Sequence, residues 1–269
     1  MPRSENAQLA VDLYNELQER LQFRADTAWH GIALLLLTCE IYTREWEQLH
    51  GFVTYVDSNR FRDEGTRLRA ERLTSYLAGQ LGIPRGQLCE NIAVYWRQPE
   101  TRRLQPNNLV GHAFRSLIAT VLKRFGDAGV DYEEEADPHA EFPGYHFQTR
   151  SKKARIDIMA RRGTRPVALL SVRWRYRHDR LDLVDEALAY VPALRRQNPE
   201  GHFYAVIGEF DGGRLRKLLS NCAPADRNAA ISAAVHFAPQ LIREGLGENG
   251  TLEHLRSLEW LIQQTFIWH

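Results

Sequence analysis

The stretch VALLSVRWRYRHDRLDLVDE, Val167 to Glu186, decides how the rest of the chain is read. Its first six residues, Val167-Ala168-Leu169-Leu170-Ser171-Val172, are a short apolar run bounded upstream by Gly163 and Pro166, the pattern of a buried central strand. Without an intervening turn residue, the basic side chains Arg173, Arg175, Arg177, His178 and Arg180 follow, interleaved with Trp174 and Tyr176 and broken by Asp179. A buried strand that runs into clustered guanidinium groups aims them at a partner, and phosphates and guanine edges are the natural acceptors for such forks. Trp174 reads as core rather than as a stacking platform.

Working outward, Ala154 to Ala160 reads as a strand carrying Asp157, and Gly163 to Pro166 as a tight connection, so the two strands are expected to form a hairpin. Leu181 to Gln197 reads as a helix kinked or ended at Pro192, with Leu181, Val184, Leu188 and Val191 on one face. His202 to Glu209 reads as a buried strand parallel to the first, reached through that crossover helix. Upstream, Leu109 to Phe125 is an amphipathic helix stopped by Gly126 and Gly129, preceded by a loop from Gln98 to Asn108 and followed by an acidic run from Val130 to Asp137. Downstream, 215–220 and 226–234 read as helices, 235–237 as a short strand and Thr251 to Phe266 as a terminal helix. Residues 1 to about 80 read as helices, Trp29 to Trp46 and Arg60 to Gly79 among them. Gly82-Ile83-Pro84-Arg85-Gly86 marks a break. The expected fold is therefore α/β: a mixed central β-sheet flanked by helices (83–269), with a helical N-terminal region (1–82) that packs, dimerises or braces the other half.

Composition narrows the classes. The chain has 269 residues, a net charge of +1 and ordinary apolar content, so nothing in its overall charge points to nucleic acid. Its cations are nearly all Arg, with Lys only at Lys123, Lys152, Lys153 and Lys217. Cys39, Cys89 and Cys222 are too widely spaced for a disulfide framework or a metal cluster, which suits a reducing cytoplasm. The apolar run Gly31 to Leu37 is too short to span a bilayer, and no signal peptide is read. His30, His50, His112, His139 and His146 lack metal-ligand spacing, and no phosphate-binding glycine loop or nucleophile elbow occurs.

The chemistry concentrates in one ordered set. With neighbouring strands roughly 5 Å apart, Asp157 can face Ser171 and Arg173, and Glu186 follows on the next helix. Two carboxylates can hold a divalent metal, and a cation beside them can steady a phosphate in flight. Spacing favours Glu186, whereas Asp185 falls slightly nearer the expected apolar stripe.

Taken together, Asp157, Ser171-Val172-Arg173, Arg177-His178-Asp179-Arg180 and Glu186 resemble the PD-(D/E)XK type II restriction endonucleases that recognise CCGG-type sites. The resemblance covers roughly residues 109 to 210, and the helical first half is similar to that of the BsaWI-like members. It implies a restriction-endonuclease-like fold and Mg2+-dependent cleavage of double-stranded DNA. Asp157 and Glu186 would be metal ligands, with Ser171 and Arg173 beside them. It also implies a homodimer on a palindrome and a DNA methyltransferase as functional partner. By the same resemblance Arg177, Asp179 and Arg180 would read G·C pairs. That role is chemically apt, because guanidinium donates to guanine O6 and N7 and carboxylate accepts from cytosine N4. Arg175 is a further DNA-binding candidate.

Two positions depart from the family pattern. Arg173 stands where the family has Lys, and an Arg hardly exchanges protons, so the metal, or Lys152 or Lys153, would take that part. The helix Leu109 to Phe125 carries no Glu, leaving Glu90 or one of Glu133 to Glu135 as a further acid. The alternatives are a nuclease-fold DNA-binding protein with weak or no cleavage, and a repair nuclease with less sequence preference.

Overall fold

A two-residue turn, Gly163-Thr164, organises the sheet: Gly163 has φ +62°, a left-handed conformation that glycine adopts without strain, and Arg162 and Arg165 pair across it. The computed structural model describes residues 4–41, 64–96, 106–147, 155–175, 182–220, 222, 230–246 and 254–269. They pack as two units: Ile118–Gly208 with Gly212–His269, and Arg3–Leu117 with Glu209–Asp211.

The sheet unit holds six strands in sequence order: β1 (Asp131–Ala136), β2 (Ile156–Arg162), β3 (Arg165–Arg173), β4 (His202–Ile207), β5 (Ala233–His236) and β6 (Arg256–Ser257). β1, β2 and β3 are mutually antiparallel, whereas β3 to β6 run parallel. This is the expected mixed sheet flanked by helices. β3 and β4 are buried almost throughout, as strands covered on both faces must be. The crossover between them is the helix Asp182–Gln197, which packs on both strands. It continues through Pro192. That residue is exposed, and the carbonyl a proline leaves unbonded four residues earlier belongs to Leu188, itself 61% exposed.

Of the expected stripe of this helix, Val191 is buried, Val184 and Leu188 are not, and Leu181 lies outside the described residues. Leu183, Ala187, Tyr190, Val191 and Leu194 face inward. Ala and Tyr count for little on an apolarity scale, so a count of Leu and Val places the stripe elsewhere. The acidic run, to which the sequence assigns no element, forms β1 from Asp131, because Tyr132 and Ala136 are buried while the glutamates between them stay half-exposed. Ala233 and Ala234, expected in a helix, instead open β5, and Ile231 makes an isolated bridge with Cys222; 226–229 lie outside the described residues. A helix at Pro239–Leu246 was not expected. The expected terminal helix is shorter, Leu258–Gln264, because Arg256 and Ser257 pair with β5 and Ser257 caps the helix.

The second unit is helical, with Glu5–Leu21, Ala28–Ile41, Glu64–Leu81, Arg85–Trp96 and the first part of Pro106–Phe125. Ser4 caps the first of these helices. Gly31 lets two helices close: a Cβ there would lie 2.7 Å from the rings of both Tyr14 and Phe23. The side chain of Arg69 is fully buried, with Nη1 4.0 Å from Glu209 Oε1 and its guanidinium over the Phe210 ring. No helix among the described residues is long and apolar enough to cross a membrane.

Candidate functional site

Numbering the helices of the sheet unit from the crossover, αA is Asp182–Gln197. The site forms where the β2–β3 ladder stops pairing. The last paired residues are Ile158 and Leu170, and one step beyond them Asp157 stands opposite Ser171. Strand partners share a face, as do residues two apart on one strand, so Asp157, Ser171 and Arg173 all project to the same side of the sheet. Asp157 extends the ladder with its side chain, its Oδ2 accepting the Val172 amide at 2.8 Å. αA crosses the same face and delivers Glu186, one turn after Leu183 and one turn before Tyr190. Asp185 points outward and is exposed.

Four groups converge. Ser171 Oγ donates to Glu186 Oε2 at 2.5 Å and lies 3.5 Å from Asp157 Oδ2. The guanidinium of Arg173 spans both acids, donating through Nη1 to Asp157 Oδ2 and through Nη2 to Glu186 Oε1. These are charge-assisted bonds from one planar fork, a geometry that an ammonium does not reproduce. The Ser171 side chain is sealed, whereas the side chains of Arg173, Asp157 and Glu186 keep 31%, 13% and 24% of their exposure, so the cluster opens to solvent on the Arg173 side.

Tyr190 closes the αA side. Its ring is 2% exposed and meets the Phe147 ring at 5.4 Å. Burial, followed by the charges of Glu186 and Asp157, pushes its phenol up to about 12. Spacing alone could have flagged Tyr190, which lies four residues after Glu186 on a helix. Arg155, two residues before Asp157 on β2's lead-in, pairs with Asp137 at 3.3 Å. On the Arg173 side the backbone is held tightly. Gly208 N donates to Arg173 O at 2.9 Å, and Trp174, 3% exposed, stacks on Phe237 as core.

Glu133 pairs with Arg161, which also holds Glu141. Glu135 stands opposite Asp157 in the β1–β2 register with φ +56°, an uncommon backbone for a non-glycine residue. Glu90 is exposed on the helix Arg85–Trp96. Arg175 is exposed just past β3. Lys152, Lys153, Arg177, Asp179 and Arg180 lie outside the described residues.

Among the described residues no group of three or more His, Cys, Asp or Glu side chains is placed to share a metal. The donors that do meet, two carboxylates and a hydroxyl, are all oxygen. Such a set suits a hard divalent cation that keeps several waters, as Mg2+ does. By that chemistry Asp157 and Glu186 fit such an ion, in the place that Arg173 spans.

No protein-family model matches the sequence, and no curated protein matches it. Among solved structures, the chain is similar to that of a restriction endonuclease PspGI–substrate DNA complex. The TM-score is 0.44 and the identity 12%, covering 99% of this chain and 93% of that one.

Proposed function

We propose that this chain is a metal-dependent endonuclease acting on double-stranded DNA in the manner of a type II restriction enzyme. The observation that carries the reading is the meeting of Asp157 and Glu186, from a strand and a helix, around Ser171 and Arg173 on one face of a mixed sheet. Mg2+, when bound, would supply Lewis-acid polarisation of the phosphate and a more acidic water. Asp157 and Glu186 would hold that ion, and Ser171 would orient Glu186 through its short hydrogen bond. Arg173 would bind a non-bridging phosphate oxygen, with its charge fixed at any physiological pH. Arg177, Asp179 and Arg180 would read base edges in the major groove, with Arg175 on the backbone, and a CCGG core follows from the family resemblance. A homodimer would cut both strands of a palindrome, with the helical residues 1–82 dimerising or embracing DNA, and a methyltransferase of the same specificity would protect the host.

A second reading has its own observation. Arg173 stands in the family's Lys position and already satisfies both carboxylates, as in a DNA-binding protein that no longer cleaves. One experiment separates the two: purified protein with Mg2+ is incubated with a plasmid of known sequence and the ends are sequenced. Discrete ends at a G·C-rich palindrome are expected. Intact DNA at every enzyme excess, with site-specific retardation, would establish the binding protein instead.

A further inference from the structure

The space between Asp157 and Glu186 is spanned by the protein's own cation. The Arg173 guanidinium donates to Oδ2 of the first and Oε1 of the second, two of the oxygens a divalent ion would need. A guanidinium and a divalent ion drawn to the same two carboxylates repel one another and compete for the same negative charge. The guanidinium has somewhere to go, because Arg173 is the most exposed member of the cluster, at 31%, at the end of β3. Neither acid can turn away to serve both cations. Asp157 is tied to the Val172 amide, and Glu186 is tied to Ser171 Oγ.

We infer that Arg173 and a divalent cation exchange at Asp157 and Glu186, and that a phosphodiester drives the exchange by drawing the guanidinium off the carboxylates. The identity of the anion rests on the nuclease reading; the competition itself rests on the hydrogen bonds. The free protein is then guarded by its own side chain: it takes up metal weakly until DNA offers Arg173 a second acceptor. A phosphate and two carboxylates share one guanidinium poorly, so arrival of substrate and opening of the cation site are coupled.

The test measures Mn2+ binding to the full-length chain, by calorimetry and by the electron-spin signal of free Mn2+, without DNA. Arg173→Met, which keeps an apolar stem and no charge, is expected to bind Mn2+ at least tenfold more tightly than wild type, with Arg173→Lys between them. Equal or weaker binding by the Met variant overturns the exchange. Should that variant fold poorly, wild type alone answers. Titration with Mg2+ should release Arg173, seen by NMR as faster guanidinium rotation, and an unchanged rotation rate at metal saturation overturns it equally. If wild type cuts no DNA while Arg173→Met gains Mn2+ affinity, the nuclease reading fails and the exchange stands. If DNA is cut while the two proteins bind Mn2+ alike, the exchange fails and the nuclease reading stands.

Discussion

Arg173 and Asp157 are partners across the end of the β2–β3 ladder, and the carboxylate oxygen that takes the guanidinium also takes the Val172 amide. Asp157→Asn keeps the shape and removes the charge, so Arg173 loses one of the two carboxylates its guanidinium spans. Loss of one charge-assisted bond costs about 1.5–3 kcal/mol, a fall of a few degrees in melting temperature. If Asp157 holds the metal as proposed, the Asn variant should cleave about 10²-fold or more slowly, since even supporting partners of a metal site are worth 10–100-fold. Cleavage rates and thermal melts on the same preparation check both. Full activity in the Asn variant would remove Asp157 from the site.

Arg173 itself should show a split between charge and shape. Lys restores a cation but has no fork to span two acids, so Arg173→Lys should keep single-turnover cleavage within about tenfold of wild type. Arg173→Met should lose about 10²–10³-fold, the scale for removing a group aimed at developing charge. A Met variant as active as wild type would mean the guanidinium never meets the phosphate.

The sheet's centre was legible because its signals are local. A short apolar run bounded by Gly and Pro reads as a buried strand, and Gly163 marks the hairpin turn; the one-residue register shift between Ala160 and Arg161, which carries no such local signal, is what puts Asp157 opposite Ser171. What hid was set by partners distant in sequence. Asp131–Ala136 is a strand because β2 pairs with it, despite three consecutive glutamates. Ala233 and Arg256 enter the sheet because β4 and β5 offer open edges. Likewise the helix face that carries Glu186 is set by what Ala187 and Tyr190 bury against, and a count of Leu and Val misplaces it.

Gly208 tests how firmly the end of β3 must be held. A Cβ at this position would lie 2.5 Å from the Trp174 ring and 2.8 Å from its backbone oxygen. Backbone cannot yield as a flexible side chain can, so Gly208→Ala must push Trp174, and with it Arg173, whose carbonyl Gly208 binds. The expected outcome is a loss of about 1–3 kcal/mol, the usual range for overpacking, with a drop in cleavage larger than the stability loss explains. Denaturant titration and kinetics at a temperature where the variant is fully folded separate the two.

Tyr190 offers a pH signature. Its phenol shifts from 10.0 in the unfolded chain to about 12 when folded, through burial first and then the charges of Glu186 and Asp157. The folded state therefore keeps a proton that the unfolded state releases. This contribution is fully present below pH 10 and is lost as pH rises toward 12. Among the described residues no hydrogen bond engages the hydroxyl, so Tyr190→Phe should lie within about 1 kcal/mol of wild type at neutral pH. Between pH 10 and 12 the variant should gain on wild type, because Tyr132 and Tyr204, also raised by burial, remain in both proteins. Urea midpoints that stay parallel across that range would place the phenol in ordinary solvent.

Arg177 decides whether the protein reads sequence or only charge. It lies outside the described residues; a guanidinium that donates to both O6 and N7 of one guanine discriminates by about 1–3 kcal/mol against another base at that position. A guanidinium on phosphate contributes equally to every sequence and steepens the salt dependence instead. If Arg177 reads a base, Arg177→Ala should relax preference at one base pair of the half-site, and at its symmetry mate, while binding to unrelated duplex changes little. Cleavage or retardation across a library randomised at the site gives the profile directly. Uniform weakening over all sequences, with a shallower salt slope, would make Arg177 a backbone contact and favour the repair-type nuclease, with less sequence preference, over a restriction enzyme.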